Sequence, residues 1–271
     1  MFLNVKRIYQ AFGWAREMGI PPRFWQTYIS KQLPGRAAIC NESWQRLNTQ
    51  WEKYLWDDGE IAEMMSTEFP EETGKVFREF PLGVMRADMW RYAVLAKFGG
   101  LYADVDCRCV QSINEWDLGK VGCLASRGKK WLLICLENDA HFCNWTFAGV
   151  AGHPAFERVI ALIVERAQAG IDFSNEHFVH EHTGPSVWTD AIREVLRMEN
   201  YSPGEIYRSE ELREAAKERG IIILDYNAFS RRFCCNEFGS VSYGDSWVSW
   251  TDQREDILNR QLQFEEEDEV V

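Results

Sequence analysis

Two carboxylates separated by one residue, Asp104 and Asp106, are the side chains best suited to hold a divalent cation. They are hard oxygen donors, and a pair of them can grip Mg or Mn while leaving coordination positions open for the oxygens of a pyrophosphate. In a regular strand, residues i and i+2 share a face, so both carboxylates are expected to converge on one ion. A triplet this short also arises by chance in solvated turns. Context carries the weight: the pair follows the apolar run Leu101-Tyr-Ala103, where two like charges are costly without a cation or another positive partner.

The elements that position the pair are readable around it. From Val84 to Phe98 apolar residues recur at helical spacing, Gly99 and Gly100 end that helix, and Leu101 to Val105 reads as a strand. Upstream, the pattern predicts an N-terminal helix over 2–18, strands over 23–29 and 51–56, and helices over 61–69 and 71–80, with Pro81 as a break. Downstream, strands are expected over 121–125, 131–136, 144–150 and 220–224, and helices over 154–169, 185–197 and 210–219. This alternation predicts an α/β fold: one domain over 20–260 with a mixed central sheet flanked by helices, a helix over 1–19 before it and an acidic tail over 261–271. Its cleft is expected at strand ends.

The 271 residues, 46% hydrophobic, suffice for a substantial core, and the net charge of -12 argues against a nucleic-acid polymer as partner. Residues 265–271 supply five of those negative charges. Eight cysteines follow no zinc-ligand spacing, and burial as free thiols is as consistent with a chain this size as disulfides are. With no apolar run of membrane-spanning length, a cytoplasmic protein or one peripheral to a membrane is expected; oligomeric state is not legible. Asn41-Glu-Ser43 and Asn144-Trp-Thr146 match the N-glycosylation pattern, a weak signal.

Residues 84–106, with Arg86-Ala-Asp88, Arg91-Tyr92, Gly99-Gly-Leu-Tyr102 and Asp104-Val-Asp106, resemble the signature of the Och1-like and capsular-polysaccharide glycosyltransferases, glycosyltransferase family 32. Ile20-Pro-Pro-Arg-Phe-Trp-Gln-Thr27, Tyr54-Leu-Trp-Asp-Asp58, Asn144 to Pro154 and Thr183-Gly-Pro185 resemble further family segments in order, so the likeness covers roughly 20–190. It implies a GT-A-like nucleotide-diphospho-sugar transferase domain. The implied activity is metal-dependent transfer of a hexose, with retention, from a nucleotide sugar (UDP-hexose or GDP-mannose) to an oligosaccharide, glycolipid or protein-glycan hydroxyl. Mn or Mg would serve as cofactor.

Carried onto this sequence, the resemblance implies Asp104 and Asp106 as metal and catalytic residues, Asp88 on sugar hydroxyls and Arg86 on donor oxygens, with Asn144 as a further sugar contact. Gln26 and Thr27 are expected to meet the nucleoside, whereas His153 reads better as a loop-to-helix entry and His177, His180 and His182 as a polar loop. Asp88 also has a local reading, as the i,i+3 partner of Arg91 near the helix start. One departure stands out: family members often place a His before an aromatic-x-x-Ser-Trp segment, where this chain has Val241 or Ser242. Asp245 is the preferred substitute as third ligand, with Ser242 and Ser246 as alternatives, and Trp247 or Trp250 is expected to cover the donor. The missing His keeps open a catalytically impaired sugar-nucleotide-binding protein. A phosphohydrolase is a third reading, which leaves the ordered motifs unexplained.

Overall fold

A computed structural model describes residues 13–118, 129–236 and 254–258. The expected strand over 121–125, Asp245, Trp247, the acidic tail and most of the N-terminal helix lie outside the described residues. Within them, helices α1 (Gly13–Glu17), α2 (Gly35–Leu47), α3 (Asp58–Thr67), α4 (Glu71–Glu79) and α5 (Gly83–Phe98) interleave with strands β1 (Arg23–Thr27) and β2 (Glu52–Trp56). Then come β3 (Gly100–Ala103), β4 (Cys107–Cys109), β5 (Leu132–Cys135) and β6 (Thr146–Gly149), followed by α6 (Pro154–Ala169), α7 (Phe178–His182), α8 (Pro185–Leu196), α9 (Pro203–Arg208) and α10 (Glu210–Glu218). Strands β7 (Ile221–Leu224) and β8 (Cys234–Asn236) complete the described strands.

The expected mixed sheet with flanking helices is present. Its six strands run in the order β2-β1-β3-β6-β5-β7, and β6 alone runs against its neighbours. The C-terminal ends of β1, β2, β3, β5 and β7 therefore share one edge, where the chain also enters β6. Pleating sends alternate residues to opposite layers: Tyr102, Leu132 and Ile134 join the core with Trp90, Phe147, Phe156 and Trp188, while Leu101, Ala103, Leu133 and Cys135 join Trp44, Trp116 and Phe229. Asp57 and Glu60 form the capping box that starts α3, so the acids after β2 serve partly as a helix cap.

The Gly-Gly turn between α5 and β3 is required by geometry. Gly99 has φ +64° and Gly100 φ +116°, and a Cβ on Gly100 would lie 2.4 Å from the Arg23 carbonyl oxygen. One expectation is corrected here. Strand β3 stops at Ala103, and residues 105–106 form a turn closed by the Cys107 N–H on the Asp104 carbonyl at 3.0 Å. Asp104 and Asp106 thus flank a turn, and strand alternation is not what brings their charges together.

Candidate active site

Helix α5 supplies the buried half of the site. Its inward turns place Asp88, Arg91 and Tyr92 against the start of β6 and the start of α8. Asp88 is 3% exposed. Its Oδ1 accepts from the Asn144 amide at 3.2 Å and meets Arg91 Nη2 at 3.1 Å, while Oδ2 accepts from the Thr183 hydroxyl at 2.9 Å. Asn144 also donates to the Tyr92 hydroxyl at 3.2 Å, and Arg91 Nη1 donates to the Asn144 carbonyl at 2.8 Å. Burial pushes the Asp88 carboxyl up to about 6 against the pull of Arg91 and Thr183. Both oxygens are committed, so Asp88 here fixes Arg91, Asn144 and Thr183 relative to one another.

Arg91 links this cluster to the acidic pair. The same Nη2 lies 3.1 Å from Asp104 Oδ1, which also accepts from the Tyr102 hydroxyl at 2.5 Å, and the guanidinium stacks 5.0 Å above the Tyr102 ring. The Asp104 backbone is held from the other side. Its N–H donates to the Trp145 carbonyl at 2.9 Å, and its carbonyl accepts from Gln26 Nε2 at 3.1 Å. Gln26 Oε1 in turn accepts from Asn41 on α2 at 2.6 Å, and Asn41 accepts from Gln45 at 2.8 Å.

Asp106 is different. Its Oδ1 is buried and has no hydrogen-bond partner among the described residues. Burial, with the Asp104 charge adding to it, pushes the carboxyl up to about 7. Three carboxylates thus share one guanidinium, and the least compensated sits beside Asp104. Among the described residues no three His, Cys, Asp or Glu side chains gather as metal ligands. What the chain offers is an orphaned hard oxygen with surplus negative charge, which fits an oxygen-seeking divalent cation completed by ligands from elsewhere.

Other expected site residues lie differently. The Arg86 guanidinium donates to the Phe80 carbonyl at 2.6 Å and lowers the acidity shift of Asp58, so the arginine joined to Asp88 is Arg91. Thr27 donates to the Trp56 carbonyl at 3.0 Å, tying β1 to β2. His153 caps α6 by accepting from the Ala155 N–H at 3.2 Å, as its position before Pro154 suggests. Six of the seven described cysteines are buried. Asn41, noted in the sequence only as a glycosylation match, and Tyr102, named only within the Gly-Gly-x-Tyr motif, also join the site.

Residues 34–120 match the family described as glycosyltransferase sugar-binding region containing DXD motif. An initiation-specific alpha-1,6-mannosyltransferase of Candida albicans is 23% identical over 248 residues, which are 81% of this chain and 62% of that protein. The protein of that name in Schizosaccharomyces pombe is 28% identical over 233 residues, 78% of this chain and 57% of its own length. The chain therefore spans about three fifths of the curated relatives it matches. Among solved structures, PaToxG glycosyltransferase aligns at 16% identity with a TM-score of 0.48, covering 81% of this chain and 86% of its own. The resemblance read from residues 84–106 is confirmed by the family match and by these relatives.

Proposed function

We propose, for a chain that carries the DXD-containing sugar-binding region of glycosyltransferases, that it transfers mannose from GDP-mannose to a glycan or glycolipid hydroxyl with retention of configuration. Mannose is preferred over other hexoses because the relatives named above are mannosyltransferases. The observation that carries the proposal is the acidic pair after β3, in which Asp106 keeps a buried oxygen without a hydrogen-bond partner among the described residues. Asp104 and Asp106 would hold Mn or Mg, with Asp245 proposed as a third ligand and Trp247 as a cover. The cation would neutralise the diphosphate as it departs.

The chain's own groups do the positioning. Arg91 and Tyr102 hold Asp104 in one orientation, and Gln26 steadies its backbone. Asn144, whose two amide N–H groups are committed to Asp88 and Tyr92, keeps its side-chain carbonyl oxygen to accept from a sugar hydroxyl. Arg86, Gln26 and Thr27 remain proposed donor contacts, each needing to exchange a present bond for a donor oxygen. In a front-face transfer the acceptor oxygen bonds to the anomeric carbon as the carbon–phosphate-oxygen bond breaks. The bonding pair goes to the departing diphosphate, which takes the hydroxyl proton. Asp88 is poorly suited to double displacement, because both its oxygens are already bonded. Residence in the cytoplasm, or at a membrane periphery, is proposed from the sequence. No helix among the described residues is long and apolar enough to cross a membrane.

The test is a donor screen with Mn or Mg and a panel of mannosides, with the product anomer assigned by NMR. An α-linked product whose formation requires metal is expected. Donor binding without cleavage would identify a sugar-nucleotide-binding protein instead, and a β-linked product would overturn retention.

A further inference from the structure

The edge that carries Asp104 and Asp106 also carries an acid that no step above uses. Strand β5 runs antiparallel to β6, and β6 antiparallel to β3, so β5 and β3 end on the same side. Asn144 enters β6 between them, and Glu137 lies two residues beyond the end of β5. Two strand spacings, about 10 Å, separate the β3 and β5 positions. A donor whose diphosphate rested at Asp104 and Asp106 and whose sugar extended past Asn144 along that edge would lead toward Glu137.

The loop around Glu137 is pinned at almost every polar group except the carboxyl itself. Leu136 bridges to Phe142, and the Glu137 N–H donates to the His141 carbonyl at 3.0 Å. Asn138 Oδ1 accepts from the N–H groups of Ala140 and His141 at 2.8 and 2.9 Å. Asp139 pairs with Arg208 at 2.9 Å, its carbonyl accepts from the Gly204 N–H at 3.1 Å, and His141 Nε2 lies 3.2 Å from the Ser186 hydroxyl. Glu137 Oε2 is buried with no hydrogen-bond partner among the described residues. Burial pushes this carboxyl up to about 7, and the charge of Asp88 is near enough to add to the shift. A carboxyl with a buried oxygen that no described residue partners, on a loop held by its other polar groups, is the pattern of a group kept for a ligand.

We propose that Glu137 is the acceptor-side carboxyl of this site, accepting a hydrogen bond from a sugar acceptor hydroxyl and holding that hydroxyl toward the donor sugar. The inference rests on the transferase reading above. It deepens that reading by assigning the acceptor subsite to the loop after β5.

The experiment compares wild type with Glu137→Gln and Glu137→Ala, using GDP-mannose and Mn with methyl α-mannoside or α-1,6-mannobiose. It reads the partition of cleaved donor between transfer and hydrolysis. In the Ala variant the transfer-to-hydrolysis ratio is expected to fall at least tenfold and the acceptor KM to rise, with the Gln variant between. Melting temperature should hold or rise, because an unpartnered buried acid has been removed; a fall in both variants would mark a structural role and overturn the proposal. An unchanged ratio would overturn it, as would transfer and hydrolysis falling in parallel, which would place Glu137 on the donor side. A wild type that cleaves donor but transfers to neither mannoside would overturn the sugar-hydroxyl subsite alone. A wild type that cleaves no nucleotide sugar with any metal would instead be a failure of the transferase reading.

Discussion

Asp106 carries a buried oxygen that has no hydrogen-bond partner among the described residues. Replacing it with Asn removes a buried charge that Arg91 compensates only in part. In metal-free buffer Asp106→Asn is therefore expected to melt higher by roughly 2–8 °C, corresponding to about 1–2 kcal/mol, while donor turnover falls at least a hundredfold. Calorimetry and a donor-cleavage assay check the two halves; a lower melting temperature would show that the carboxylate has a partner. At this scale the acidic pair was legible because residue type and spacing announce it. The Asp88–Arg91 half of the bridge was legible as an i,i+3 pair, but its extension to Asp104 was not, because it depends on the chain bringing Asp104 back over α5. The resemblance pointed to Arg86 as well as Asp88, but burial alone decides that Asp88 is enclosed and that Arg86 faces Phe80.

At the scale of elements, α5 and α6 were legible from apolar periodicity and from their Gly-Gly and His-Pro boundaries. Helix α2 was not, since its sequence Gly-Arg-Ala-Ala-Ile-Cys-Asn-Glu-Ser-Trp-Gln-Arg-Leu buries only Cys40, Ser43 and Trp44. That helix changes how two short motifs read. Asn41 sits in α2 with its amide on Gln26, and the Ser43 hydroxyl is buried, accepting from the Cys109 N–H at 2.8 Å. Asn144 is 7% exposed, with its amide shared between Asp88 and Tyr92. Asn144 is thus enclosed, and the half-exposed Asn41 lies in a helix with its amide engaged on Gln26. Expression through a eukaryotic secretory pathway is expected to leave both asparagines unmodified in peptide mass spectrometry; full occupancy at Asn41 would contradict the placement of α2. Asn41→Ala should weaken metal-dependent GDP binding severalfold by freeing Gln26, which calorimetric titration would detect as a raised Kd.

At the scale of the whole molecule, the alternation of strands and helices foretold an α/β domain, but the reversed direction of β6 carried no sequence signal. Short buried runs read alike in either direction, and only pairing decides. Stability against pH is likewise a property of the ensemble of buried groups. Burial, with Lys130 adding, lowers His153 from 6.5 to about 4. Below about pH 6.5 the unfolded chain takes up a proton that the folded chain refuses until about pH 4, so this group destabilises the fold progressively as pH falls through that window. Asp106 and Glu137, raised to about 7, act oppositely: the folded state holds their protons more tightly, and their cost is relieved as pH falls below 7. The His153 contribution is isolated by comparison with His153→Gln. Between pH 7 and 4 the wild type should lose about 3 kcal/mol relative to that variant in denaturant titrations, and parallel curves would contradict the assignment. Cation binding by Asp104 and Asp106 for a nucleotide sugar is tested most directly by Mn titration of the full chain with saturating GDP, followed by electron paramagnetic resonance. Bound Mn is expected in the wild type, with at least a tenfold weaker Kd in Asp104→Asn/Asp106→Asn; the same Kd in both proteins would contradict cation binding by this pair.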